Sequence, residues 1–143
     1  MDRKLDSTAN IEKELKSLQE IFEMFENPKD KFLQLMDMAK DQRPLHGKYK
    51  IESNKIYGCS SQAWVVAENH EDKTYTFRTD SDALIVKGLL QILEKIFNNQ
   101  KSKEILSIDS QYILQTIGLE GSVTSQRNNG FSSAVNKIHK LVQ

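Results

Sequence analysis

The stretch "QAWVVAENHEDKTYTFRTDSDALIVKGLL" (residues 62–90) changes its hydrophobic period along its length. From Gln62 the period is two. Trp64 and Val66 fall on one face, and Ala63, Val65 and Ala67 on the other. Two apolar faces predict a central strand. "ENHEDK" (68–73) is a polar turn, and "TYTFRT" (74–79) alternates again with Tyr75 and Phe77 on one face. Adjacent strands with a short polar link predict an antiparallel hairpin. The period then becomes helical. Ile85, Leu89, Ile92 and Ile96 line one face, and Leu84, Leu90, Leu93 and Phe97 widen it, as expected of a helix packed on the sheet. Asp80 or Ser81 can cap this helix, and Asp82 sits where the first-turn dipole favours an anion. Lys87, one turn in, reads as a solvated charge.

Upstream, Ile11, Leu15, Leu18, Phe22 and Phe25 predict an amphipathic helix over about 9–26. Pro28 opens a second helix faced by Phe32, Leu35, Met36 and Ala39, and the two are expected to form a helical hairpin. The segment 41–54 reads as a loop with a short strand near 49–51. Downstream come two short helical pieces, the second closed by Gly118 as a C-cap, and a last helix built on Phe131, Val135, Ile138 and Leu141. Helices, a small antiparallel sheet, then helices again give an α+β fold in one domain over 1–143.

The 143 residues carry 20 Lys plus Arg and 20 Asp plus Glu, for a formal net charge of zero. That balance argues against nucleic acid, where basic side chains supply most of the affinity, and against a polybasic membrane anchor. No apolar run is long enough to span a bilayer, and the N-terminus has no signal-peptide core.

"NKIYGCSSQAW" (54–64) holds the one cysteine, Cys59, so no internal disulfide can form. One thiol and three dispersed histidines, His46, His70 and His139, make a metal site unexpected, and no cofactor motif is present. Gly58 permits conformations closed to other residues and a close chain approach, so the thiol is placed on a turn before the buried strand. Position alone does not separate a reactive thiol from a small buried hydrophobe. A hydrolase would need a base, and His70, in the hairpin turn, reads as solvated. A peroxidase-like thiol would want a resolving cysteine. A group-accepting thiol needs only access. Trp64 reads as core. Arg127 reads as lying in a polar loop before the last helix, where it could hold an anion or stay solvated.

Three ordered blocks carry a resemblance. "NKIYGCSSQAW" resembles the SufE family signature, an Asn-Lys pair before Gly-Cys-x-Ser-x-x-Trp. "DSDALIVKGLL" (80–90) resembles that family's Asp-Ser-Asp helix start with a Lys-Gly pair. "GLEGSVTSQRNNGF" (118–131) resembles its third block, normally Leu-Thr/Ser-Pro-Ser-Arg-x-Asn-Gly. The resemblance implies a fold shared with IscU-type scaffolds and a sulfur carrier. Cys59 would accept persulfide sulfur from a SufS-type, pyridoxal-phosphate cysteine desulfurase. It would pass that sulfur to a SufB-containing scaffold that assembles iron–sulfur clusters, and the desulfurase would be stimulated. Arg127, Asp82 and Gly58 match positions expected to meet partners. A monomer or weak homodimer is expected. A noncatalytic adaptor with a structural cysteine is the alternative. The Pro-Ser before the arginine is replaced here by Ser125 and Gln126, which predicts a looser loop. "NNGF" (128–131) is similar to plastid and cyanobacterial members. Bacterial cytoplasm, or the stroma of a plastid- or apicoplast-type organelle with the transit peptide absent from this sequence, is the expected location. Because an unshielded persulfide would be lost to other thiols, Cys59 is expected to lie tucked against the body beside Ile56 and Trp64.

Overall fold

The computed structural model describes residues 7–143. Six helices run in order α1 (Ser7–Glu23), α2 (Pro28–Lys40), α3 (Leu84–Phe97), α4 (Ser102–Leu106), α5 (Ser110–Ile117) and α6 (Ser125–Val142). Between them lie strands β1 (Ala63–Asn69), β2 (Thr74–Ser81) and β3 (Gln100–Lys101). The sheet is antiparallel, in the order β1-β2-β3. The fold is thus α+β, a small antiparallel sheet packed against helices. No described helix is long and apolar enough to cross a membrane.

The hairpin forms where the alternation predicts it, with Val65 opposite Thr79 and Ala67 opposite Phe77. β1 is an edge strand, however, and β2 is the central one. The second apolar face of β1 has another cause: the segment 45–56 folds over it. Lys55 bridges to Trp64, Lys50 lies over the Trp64 ring at 5.2 Å, and Leu45 and Tyr49 approach Val66. That segment holds two short 3-10 turns, Gly47–Tyr49 and Glu52–Asn54, in place of the expected strand.

The inner sheet face buries Ala63, Val65 and Phe77; β2 packs on α3, whose Leu89, Leu90, Ile92, Leu93, Ile96 and Phe97 are all buried, and β1 meets α6. Full burial of each such side chain is worth about 1.5–3 kcal/mol. α1 presents Ile11, Leu15, Leu18 and Phe22 to α5 and α3, while α2 packs on α3. The first two helices therefore diverge at the turn before Asn27 and do not form the expected paired hairpin. Asn27 caps α2, its side chain accepting from the Lys29 amide. Gly88 brings α2 and α3 together: a Cβ there would fall on the Leu35 carbonyl.

Asn98 ends α3, and its Oδ1 accepts from the Phe77 amide at 2.7 Å. Gly118 closes α5 in a left-handed conformation (φ 84°), as the sequence predicts, and Lys31 donates to its carbonyl.

Candidate functional site

Cys59 lies on the loop 57–61, whose ends are tied and whose middle is not. At its entry the Ile56 amide donates to the Ala63 carbonyl at 2.8 Å. At its exit, Gln62 and Asp82 are doubly joined. The Gln62 amide donates to Asp82 Oδ1 and the Asp82 amide to the Gln62 carbonyl, both at 3.1 Å. Ser81 Oγ donates to the same carbonyl. Among the described residues, no backbone group of 57–61 makes a backbone hydrogen bond.

Side-chain packing seats the loop on α6 instead. Gly58 has φ +92°, a conformation that favours glycine, and a Cβ on it would strike Ser133 Oγ. The space that this glycine opens is thus filled by the chain's own helix. One turn earlier on α6 stands Gly130, where a Cβ would lie 3.1 Å from Cys59 Sγ. The thiol is half-buried among Ile56, Ala63, Val86, Leu90, Gly130 and Phe131, with about 10 Å³ of free space, roughly the space of one water centre. Trp64, expected beside it, lies on the other face of the strand.

Replacing Gly130 with alanine is expected to shift this seat. Overpacking a tight contact costs about 1–3 kcal/mol, and here only the tucked loop bears it. Labelling of Cys59 by a small disulfide reagent should quicken about tenfold, the equivalent of about 1.4 kcal/mol. An unchanged rate would show that Gly130 does not limit the thiol.

Arg127 lies in the first turn of α6 and not in the loop before it. Thr124 caps that helix, its Oγ1 accepting from the Arg127 amide at 3.3 Å. The residue at the place of the missing proline, Ser125, is the first of the helix, so a side-chain cap sets the start that a proline would preset. The Arg127 guanidinium sits over the Phe32 ring at 5.7 Å. It borders the Cys59 pocket and also an outer cleft of about 480 Å³ with Met36, Ser60, Ser61 and Leu84. Cys59 and Arg127, far apart in sequence, therefore share a site. Asp82 reaches the base of the loop rather than the helix: Ala83 is the N-cap of α3, with no side-chain cap bond. Ser81 Oγ accepts from the Ala83 amide instead.

Asp80, expected as a cap, is 3% exposed. Its carboxylate accepts from the Leu45 and Ser81 amides and pairs with Lys50 at 3.2 Å and Lys87 at 3.4 Å. Burial alone would raise its pKa, yet those amides and lysines outweigh it and hold the carboxyl below its usual value. The Lys87 side chain, expected in solvent, is 15% exposed. This network pins residues 45–50 on the sheet just ahead of the Cys59 loop. The sequence signal is faint, because Asp80 lies on the sheet face that reads as outward.

No histidine serves the thiol. His70 closes the far end of β1, on the order of 20 Å away at strand rise, and bonds Thr76 Oγ1 at 2.9 Å. His46 accepts from the Lys48 amide, and His139 contacts the Ile108 carbonyl. Among the described residues, no three His, Cys, Asp or Glu stand close enough to hold a metal ion.

Known proteins resemble this chain in sequence and in fold. Residues 16–142 match the family model "SufE: Fe-S metabolism associated domain". SufE-like protein 1, chloroplastic/mitochondrial, of Arabidopsis thaliana is 35% identical over 136 residues, 95% of this chain. The alignment spans only 36% of that longer relative. An uncharacterised SufE-like protein of Synechocystis is 34% identical, over 96% of this chain and 82% of its own. The cysteine desulfuration protein SufE of Wigglesworthia glossinidia brevipalpis is 31% identical, over 83% of each. In fold, a hypothetical protein from Thermus thermophilus superposes with a TM-score of 0.72 at 19% identity, over 90% of this chain and 93% of its own. With three sequence blocks converging on one pocket and the family model spanning nearly the whole chain, the protein belongs to the SufE family of Fe–S metabolism.

Proposed function

We propose that this chain, as a single SufE-like domain, is a sulfur carrier that works with a SufS-type cysteine desulfurase and stimulates it. The chain itself is a covalent carrier and activator rather than an enzyme. The observation that carries this reading is a solitary thiol on a loop with fixed ends, packed in an apolar seat with no base beside it. The Cys59 thiolate attacks the outer sulfur of the desulfurase persulfide. A new S–S bond forms at Sγ, the donor's S–S bond breaks, and the donor cysteine leaves as thiolate. No net oxidation occurs, and the sulfur passes by the same exchange to a SufB-containing scaffold. An apolar seat that excludes bulk thiols protects the charged carrier between exchanges. The loop opens when a partner docks on Asp82 and Arg127, which flank its exit and its pocket. The similarity to chloroplastic and cyanobacterial relatives supports a plastid-type or bacterial setting.

Intact mass after incubation with cysteine and a desulfurase tests this. One added sulfur atom, removed by reductant and absent in Cys59→Ala, is the expected result. No added mass, with a desulfurase shown to turn over, would leave the adaptor reading in its place.

A further inference from the structure

Protein interiors keep few voids as large as a water molecule, yet about 10 Å³ stands free against the Cys59 thiol. Its walls include Ile56, Val86, Leu89, Leu90 and Phe131, with Arg127 where the seat meets the outer cleft. A water there would need several polar partners, and apart from Arg127 and the thiol these side chains offer none. The inner wall is firm, because Leu89 and Leu90 belong to the core of α3. The thiol is already pressed against α6, where a Cβ on Gly130 would lie 3.1 Å from Sγ. The free space therefore lies on its remaining sides. Sulfur loading supplies an occupant. It adds an atom to Sγ through a bond of about 2.05 Å, which is the reach of this space. A sulfur is somewhat larger than a water molecule, so the fit is close. A second added sulfur would have to displace a wall or leave the seat. A deprotonated outer sulfur is an anion, and a buried anion needs a paired charge. Arg127 is the cation among the lining residues.

We propose that the seat is gauged for a single added sulfur atom, with Val86 and Leu90 as the residues that set the count. The inference rests on the carrier reading above and makes the cargo one sulfane sulfur rather than a polysulfide chain. Cys59 bearing one extra sulfur closes against α3 and α6. A longer sulfur chain holds the loop open, and outside thiols trim it. In that step an outside thiolate bonds to the terminal sulfur. The S–S bond behind that sulfur breaks, and the shortened chain on Cys59 keeps the electron pair. There is no net oxidation, and trimming stops when the remaining sulfur is small enough to be enclosed.

The test loads the full chain with inorganic polysulfide, which needs no desulfurase. The Cys59 thiolate bonds to a polysulfide sulfur, and the remainder leaves with the electron pair. Excess reagent is removed, glutathione is added, and intact mass is followed with time. The same chain unfolded in urea gives the intrinsic rates, which are divided out. In the folded native chain, species with two added sulfurs should decay about tenfold faster than the one-sulfur species. Leu90→Val makes the inner wall one methylene smaller, and should slow loss of the second sulfur toward the one-sulfur rate. Val86→Ile adds one methylene, and should speed loss of the single sulfur about tenfold. Melting curves establish that each variant is folded, and either variant decides alone if the other is not. Equal loss of one and two sulfurs in the native chain would overturn the proposal. So would native decay rates in a folded variant, or a folded native chain that takes no sulfur from polysulfide. Failure of the carrier reading is seen separately, as a chain that holds sulfur from polysulfide and takes none from a desulfurase.

Discussion

Asp80→Ala is expected to destabilise the protein by about 3–5 kcal/mol, the range found when one partner of a buried ion pair is removed. Three losses coincide. Lys87, mostly buried, loses its counter-charge, the Leu45 and Ser81 amides lose an acceptor, and Lys50 loses its anchor over Trp64. The effect has a pH signature. Because the folded state holds the Asp80 carboxyl below its usual value, its stabilisation is fully present above the ordinary carboxylate range. It is lost as pH falls through the lowered value. Urea denaturation of the native chain and of Asp80→Asn should therefore differ most near neutrality and converge on acidification. A gap that stays constant with pH would mean that the charge is not the stabilising element. The variant should also label faster at Cys59, since residues 45–50 lead into its loop.

Gly88→Ala should lower the melting temperature by on the order of 10 °C. The opposite result is expected for an ordinary helix position, where alanine gains about 1 kcal/mol over glycine. Here the added methyl meets the Leu35 carbonyl oxygen and carbon, backbone atoms that cannot rotate aside. α2 must then back away from α3 and open the contact that buries Leu35. The cost is about 3 kcal/mol, at the upper end for overpacking. A melting temperature equal to or above the native value would show that the two helices yield at this crossing.

What is legible in the sequence is whatever local chemistry decides. The hairpin, the apolar breadth of α3 and the cap at Gly118 each follow from residues within a few positions of one another. The misreadings share another cause, a partner arriving from elsewhere in the chain. β1 reads as central because residues 45–56 cover its outer face. Lys87 reads as solvated because its acid lies on a strand rather than a neighbouring turn. Gly88 and Gly130 carry no sign of the Leu35 carbonyl or the Cys59 sulfur that require them. Arg127 reads as part of a loop because the first turn of α6 has no apolar residue before Phe131. Thr124, three positions ahead, is the available cue. At the candidate site, the Cys59 and Arg127 motifs can be read separately, but their common pocket is a property of the fold.

Among the described residues, the loop 57–61 makes no backbone–backbone hydrogen bond within a frame tied at Ile56 and Gln62. Lifting the sulfur out therefore breaks packing against Gly130 and Ser133 and leaves the sheet and helices intact. Turnover and robustness are governed by different residues. Substitutions that harden the α2–α3 crossing or the Asp80 network can raise heat tolerance without slowing sulfur exchange. Changes at the α6 turn that seats the loop, Gly130 and Ser133, can speed or slow delivery in a protein that melts as before. A lineage adapting to a hotter habitat, or to a faster demand for sulfur, could alter one property while leaving the other where it was.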